Sequence, residues 1–432
     1  MRVLFTAFEG SHFNQLVPMA WALRAAGHEV LAACKRSVLQ DVVRSGLPTA
    51  PLDAPPIWEL LDDFHRQSIA HYTAVGTRGP DGSPPTWEEL LAQESILVPC
   101  LYARLNHITL VRALTALARG WQPDLVIWEN TCFAASVAAV ASGAAHARMV
   151  SGPELSMQVR TRTDFLRLAG ERPPEQREDP TAEWLGALLE DVESPSGFEE
   201  SLLTGQWTID TRAPSTRTDA PVPTVPVRYV PSDYGKGRTA SALPPPNRPR
   251  VCLTLGTSIA EAEYALFDLT EVLFSFFTAM AGESVEIVAA VTPQQREQMP
   301  PLPADVVVAD YLPLDAVLPT CSAVVHHGGY QTKLTAELYG VPQVLLCGYE
   351  WVTESMGADY EMSGAVLSLP LRRLNARTLR SSVLRVLREP SYREAAQRVR
   401  REMLAMPAPN DAVPALEELT RLRRPASAVR GR

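Results

Sequence analysis

Residues 321–347 read CSAVVHHGGYQTKLTAELYGVPQVLLC. A short apolar run leads into paired histidines and paired glycines, then a helical segment, Gly340-Val-Pro and a second apolar run. Val324 and Val325 have the character of the end of a buried strand. Gly328 and Gly329 permit close approach of backbone amides to a ligand. A helix predicted from about Gln331 to Tyr339 aims its N-terminus at the same place, where anions are favoured. His327, Gln331 and Thr332 add side-chain donors. Chemically this is a cradle for a diphosphate. The Gly-x-x-x-x-Gly-Lys-[Ser/Thr] pattern is absent, which argues against an ordinary P-loop nucleotidase. The plainer alternative is a buried histidine pair preceding a helix.

The rest of the chain supports an α/β reading. Val3 to Phe8 forms an apolar strand, Glu9-Gly10-Ser11-His12 a turn, and Leu16, Val17, Ala20 and Leu23 recur at helical spacing before Gly27. Strands follow at Val30–Ala33 and Pro123–Trp128, then a small-residue helix at Ala134–Ala141. Residues 160–220 read as irregular, with one helix at Ala182–Asp191. The prolines crowded into 221–249 mark a linker without regular structure. A second strand–helix series begins at Arg250–Leu255, with the turn Gly256-Thr257-Ser258 and a helix to about Met280. Further strands are expected at Val285–Ala290, Val306–Val308, Ala323–His326, Gln343–Leu346 and Val366–Leu369. An Arg-rich helical segment spans Asn375–Met403. Such alternation predicts two doubly wound parallel domains, with ligands in a cleft at the carboxyl ends of their strands.

Composition narrows the function. The 432 residues are 46% hydrophobic and 21% charged, with a net charge of −9, ordinary for a globular protein and contrary to nucleic-acid binding. Six scattered cysteines show no zinc-ligand spacing and suit reduced core positions in a cytoplasmic protein. Met1 leads straight into a strand, so no signal peptide is expected. No apolar run is long enough to span a bilayer, so no membrane partner is expected.

SHFNQLVPMAWALRAAGHEV, FEESLLTGQWTID, PTVPVRYVP, RPRVCLTLGTS and SAVVHHGG together resemble the actinobacterial TDP-deoxysugar glycosyltransferases of macrolide and anthracycline biosynthesis. The similarity covers nearly the whole chain and is greatest to the desosaminyl- and daunosaminyl-transferase branch. It implies a family 1 type GT-B fold: an acceptor-binding domain at 1–220, the linker at 221–249, a nucleotide-sugar donor domain at 250–405, and a tail at 406–432 that crosses back to the first domain. The two domains are expected to close on ligands. It also implies inverting, metal-free transfer of a deoxysugar or aminodeoxysugar from TDP to an aglycone hydroxyl. No cofactor beyond the TDP-sugar substrate is implied. Expected partners are a hydrophobic polyketide acceptor and a cytochrome-P450-like helper, with a homodimer open. The family signature is His-His-Gly-Gly-x-Gly-Thr, and here Gln331 replaces its third glycine.

His12 is the candidate base: an imidazole titrating near neutrality can take the proton of an attacking alcohol. The alternative is a surface histidine capping the helix. His327, Gly328, Gly329, Gln331 and Thr332 are candidates for leaving-group stabilisation. Thr257 and Ser258 either join them or simply cap a helix. Leu312, in Tyr311-Leu312-Pro313, matches the family segment whose backbone receives the base, and reads equally as core. Glu350, with Trp351, is the counterpart of the family's sugar-binding acid. Glu129 is an acceptor contact or a loop carboxylate. Trp58 and Tyr72, among the aromatics of 53–110, are candidate acceptor contacts. Two other classes remain: a degenerate homologue that binds without transferring, and a sugar-nucleotide epimerase of the same architecture.

Overall fold

The computed structural model describes residues 1–7, 10–56, 84–150, 162–217, 222–232, 243–255, 270–291, 293–347 and 360–423. It forms two compact units. The first comprises Met1–Thr211, Thr218–Gly235 and the segment from Pro407 onward; the second comprises Arg212–Arg217 and Lys236–Met406.

The first unit is built on a parallel sheet of seven strands: β1 (Arg2–Thr6), β2 (Glu29–Lys35), β3 (Thr49–Leu52), β4 (Leu125–Glu129), β5 (Ala145–Val150), β6 (Trp207–Asp210) and β7 (Thr224–Pro226), in the order 3-2-1-4-5-6-7. β1 pairs with β2 on one side (Phe5 with Ala32) and with β4 on the other (Phe5 with Ile127). The direction of winding therefore reverses between β1 and β4, the crevice where such sheets bind ligands. β4 and β5 are buried at every position, as strands covered on both faces must be. Leu125, Ile127, Ala147, Met149, Trp207 and Ile209 pack on one face against Val17, Ala20 and Leu23 of the helix Val17–Ala25. Ala412, Val413 and Leu416 of the last helix, Pro409–Arg423, complete that core. His28 Nε2 lies 2.9 Å from Glu417 on the same helix.

The second unit repeats the design with β8 (Arg250–Thr254), β9 (Glu286–Ala290), β10 (Val306–Ala309), β11 (Ala323–His326), β12 (Gln343–Cys347) and β13 (Val366–Pro370), in the order 10-9-8-11-12-13. Its reversal falls between β8 and β11, paired with Leu253 opposite Val325. Leu273, Phe276 and Phe277 of the helix Thr270–Met280 and Leu379 and Val383 of the helix Ala376–Arg388 cover one face. Each such fully buried side chain contributes roughly 1.5–3 kcal/mol. No helix among the described residues is long and apolar enough to cross a membrane.

Three local expectations are corrected. His12 sits in a short helix, Gly10–Asn14, rather than in a turn. Residues 160–220 are more regular than their composition suggests, adding the helix Arg162–Gly170 and strand β6. The proline-rich stretch 221–249 contains strand β7. Proline is tolerated there because an edge strand needs ladder bonds on one side only. Pro223 accepts from Thr208 N at 2.8 Å, and Val227 N donates to Asp210 at 3.0 Å. The stretch after Asn375 is helical as expected, in two helices, Ala376–Arg388 and Pro390–Ala405, the second opened by Pro390.

Candidate active site

The first unit places a histidine and a carboxylate together at its point of reversal. Glu129 is the last residue of β4, and its side chain is fully buried. His12, on the helix that follows β1, brings Nδ1 to 3.3 Å from Glu129 Oε1, with its side chain 40% exposed. The carboxylate is also held locally. Thr131 N donates to Oε1 at 2.9 Å, and the Thr131 hydroxyl lies 2.7 Å from Oε1 and 2.9 Å from Oε2. The Thr131 amide and hydroxyl are thus two donors to a carboxylate shielded from water. An accepting carboxylate oxygen facing Nδ1 fixes the ring tautomer: Nδ1–H donates to Glu129, leaving the lone pair on Nε2. Cys132 lies beside this pair, and burial first, then the Glu129 charge, pushes its thiol up to about 12. It is an inert core residue.

The sequence motif of the second unit folds into a strand end, a glycine turn and a helix. His326 ends β11 and is buried. Its Nδ1 accepts from Gly328 N at 3.2 Å, so Nε2–H donates to Gln343 at 2.9 Å on neighbouring β12. Burial, then the neighbouring His327, lowers its pKa to about 3, so the ring is a neutral structural brace. His327 is half-buried as a residue, yet its Nδ1 is enclosed with no hydrogen-bond partner. Burial likewise pulls its pKa down to about 4. A hydrogen bond with the Thr254 backbone opposes this, but burial prevails and the neutral ring avoids the repulsion two adjacent imidazolium ions would create.

Gly328 has φ +94°, a conformation L side chains rarely adopt. A Cβ on Gly329 would lie 2.6 Å from His327 Cε1 and Nε2, so only glycine fits beneath the ring. The helix Tyr330–Tyr339 then starts at Gly329 with no side-chain cap. Its first amides therefore remain available to an anion. Thr332 is buried and Gln331 half-buried in that first turn. Tyr360 donates its hydroxyl to Gly328 O at 3.1 Å and braces the turn from below. Lys333, buried one turn in, pairs with Glu337 at 2.5 Å and lies over the Tyr330 and Tyr360 rings.

The structure thus brings His12 and Glu129 together, and His327, Gly328, Gly329, Gln331 and Thr332 together. Leu312 puts its side chain into the core with Cys252, Val288 and Val324. Thr257, Ser258, Glu350, Trp351, Trp58 and Tyr72 lie outside the described residues. Thr131, Gln343, Tyr360 and Lys333 were not singled out in the sequence. A threonine two residues beyond a strand-terminal glutamate was the available signal for Thr131. Among the described residues no group of three or more His, Cys, Asp or Glu could hold a metal ion.

Comparison with known proteins places this geometry. The N-terminal domain pattern described as erythromycin biosynthesis protein CIII-like matches residues 21–256, and its C-terminal counterpart matches residues 276–419. The tylactone mycaminosyltransferase of Streptomyces fradiae is 39% identical over 98% of this chain and 93% of its own. The 10-deoxymethynolide desosaminyltransferase of Streptomyces venezuelae is 39% identical over the full length of both. The crystal structure of the glycosyltransferase VinC in complex with dTDP is similar, with a TM-score of 0.82 and 32% identity, covering 98% of this chain and 100% of that one. Two doubly wound sheets and full-length similarity agree: the chain belongs to the erythromycin biosynthesis protein CIII-like family and is a glycosyltransferase of the GT-B fold.

Proposed function

We propose that this enzyme moves a deoxysugar or aminodeoxysugar from TDP to a hydroxyl of a polyketide-type aglycone, with inversion at the anomeric carbon. The observation that carries the mechanism is the 3.3 Å pair of His12 and Glu129. His12 Nε2 takes the proton of the acceptor hydroxyl as its oxygen attacks the anomeric carbon. The bond from that carbon to the diphosphate breaks, and TDP leaves with the electron pair. Glu129 stabilises the imidazolium that forms. The amides at Gly329 and the first helical turn, with His327 and Thr332, meet the charge growing on the departing diphosphate. These groups take the part a metal would play, so transfer is proposed to need neither metal nor cofactor.

The donor class is supported by relatives named for TDP-daunosamine and by the dTDP complex of VinC. The acceptor class is supported by relatives named for tylactone and 10-deoxymethynolide. Those relatives are sugar transferases over their full length, which favours transfer over the epimerase and non-catalytic readings. A cytoplasmic location fits five described cysteines that are free and buried or half-buried. The cytochrome-P450-like helper and a homodimer belong to this proposal as conditional partners.

The test is a transfer assay. Purified protein is incubated with a panel of TDP-deoxysugars and macrolide or anthracycline aglycones, with and without a P450-like helper, and products are weighed by mass spectrometry. A glycosylated aglycone with TDP released in equal amount is expected. TDP binding with no product from any pair would overturn transfer.

A further inference from the structure

We propose that Thr131 and Asn106 are positioning residues for the base, holding Glu129 so that its carboxylate fixes His12. This rests on the reading of His12 as the base and adds to it the groups that set its partner.

Glu129 is followed by Asn130, Thr131 and Cys132, and the helix Phe133–Ser142 begins immediately after. Thr131 spans the carboxylate, its hydroxyl within reach of both oxygens and its amide donating to Oε1. Oε1 is the atom that faces His12 Nδ1. Thr131 therefore fixes the rotamer of the side chain that meets His12. Cys132 N donates to Glu129 O at 2.9 Å and closes a turn, while Cys132 caps the helix without a side-chain bond.

Asn106 supplies the stiffness from outside. It is 1% exposed and comes from the segment after the helix Ala103–Leu105. Its Nδ2 donates to Thr131 O at 2.9 Å and to Tyr102 O at 3.0 Å, and its Oδ1 accepts from Ala134 N at 2.9 Å. One amide thus grips the connection at both ends. Its Oδ1 meets an N–H and its Nδ2 two carbonyls, so the amide has a single orientation. A buried amide with three satisfied bonds is costly to replace and rigid once formed. The chain of contact runs Asn106, Thr131, Glu129, His12. Misplacing a base by about 1 Å can cost up to ~10²-fold in rate, so rigidity here bears on turnover and not on fold alone.

The experiment is a double-mutant cycle on the transfer reaction, with thermal melting in parallel. Thr131→Val keeps shape and removes the hydroxyl. It should lower kcat about 10-fold with KM for donor and acceptor nearly unchanged. Thr131→Ser restores the hydroxyl and should recover most of the lost rate. In a Glu129→Gln background, Thr131→Val should cost little further, because both act through one interaction. Asn106→Ala should lower both melting temperature and kcat; if it fails to fold, the Thr131 variants still decide. An unchanged kcat in Thr131→Val, a loss appearing in KM, or full additivity with Glu129→Gln would overturn the proposal. Full activity in His12→Ala would overturn instead the reading of the base on which it rests.

Discussion

Glu129 ends β4 and His12 lies on the helix that follows β1, the two strands between which the first sheet reverses its winding, and their side chains meet at 3.3 Å with the carboxylate fully buried. A buried carboxylate contacting a half-exposed imidazole is a means of choosing a tautomer. Glu129→Gln keeps the shape but removes the charge that stabilises the imidazolium. It should lower kcat by about 10²-fold while TDP affinity stays within a factor of about two, since general-base contributions lie near 10²–10⁴. Steady-state kinetics with calorimetric TDP titration check this. Equal losses in turnover and TDP affinity would assign Glu129 to nucleotide binding instead.

Gly329→Ala should damage the second unit's cradle alone. The added Cβ would fall 2.6 Å from the His327 ring, so the ring or the turn has to move. TDP affinity should fall at least ~10-fold, consistent with the loss of a few well-placed donors to a diphosphate. Titration calorimetry reads it, and unaltered TDP binding would place the diphosphate elsewhere.

Stability should fall on mild acidification. Burial holds His146 and His327 down to about 4 and His326 to about 3, whereas an unfolded histidine titrates near ~6.5. Between those limits the unfolded chain binds more protons. The stabilisation is therefore complete above ~6.5 and is lost as pH falls toward about 4, at up to ~1.4 kcal/mol per pH unit for each histidine. His146 stacks on Trp128, with both ring nitrogens unpartnered. His146→Leu should accordingly stabilise the protein by roughly 1–3 kcal/mol near pH 5 and flatten the acid slope. Denaturant melts from pH 7.5 to 4.5 test this, and a slope identical to the parent's would contradict it.

Arg162 ties together the segment from 162 to 200. Its guanidinium makes two bonds to Asp179 and two to Glu200 from a side chain only 7% exposed. Arg162→Ala should destabilise by roughly 2–3 kcal/mol, below the ~3–5 of a wholly buried pair because Glu200 is 42% exposed. A change under about 0.5 kcal/mol in chemical denaturation would show that the region is held by packing alone.

The second sheet was legible in the sequence because its strands are short apolar runs bounded by glycine, proline or charge. Ala323–His326 matches residue for residue. The region 160–220 was less legible. Trp207 and Ile209 alternate with Thr208 and Asp210 over only four residues, and the arginine that organises the neighbouring helices reads in sequence as one more surface charge. β7 was hidden by prolines that its edge position tolerates. The strand end, glycine turn and helix start at His326–Thr332 could be read because their residues are contiguous. The pairing of Glu129 with His12 could not, because only the β1–β4 neighbourhood brings two such distant residues together.

His12 is proposed as the base of the transfer reaction, with the nucleotide held independently of it. The most direct measurement is single-turnover transfer by His12→Ala beside its TDP titration. The rate should be lower by roughly 10²–10⁴-fold with TDP affinity essentially that of the parent. Transfer at the parental rate, or a loss explained entirely by weaker TDP binding, would contradict it.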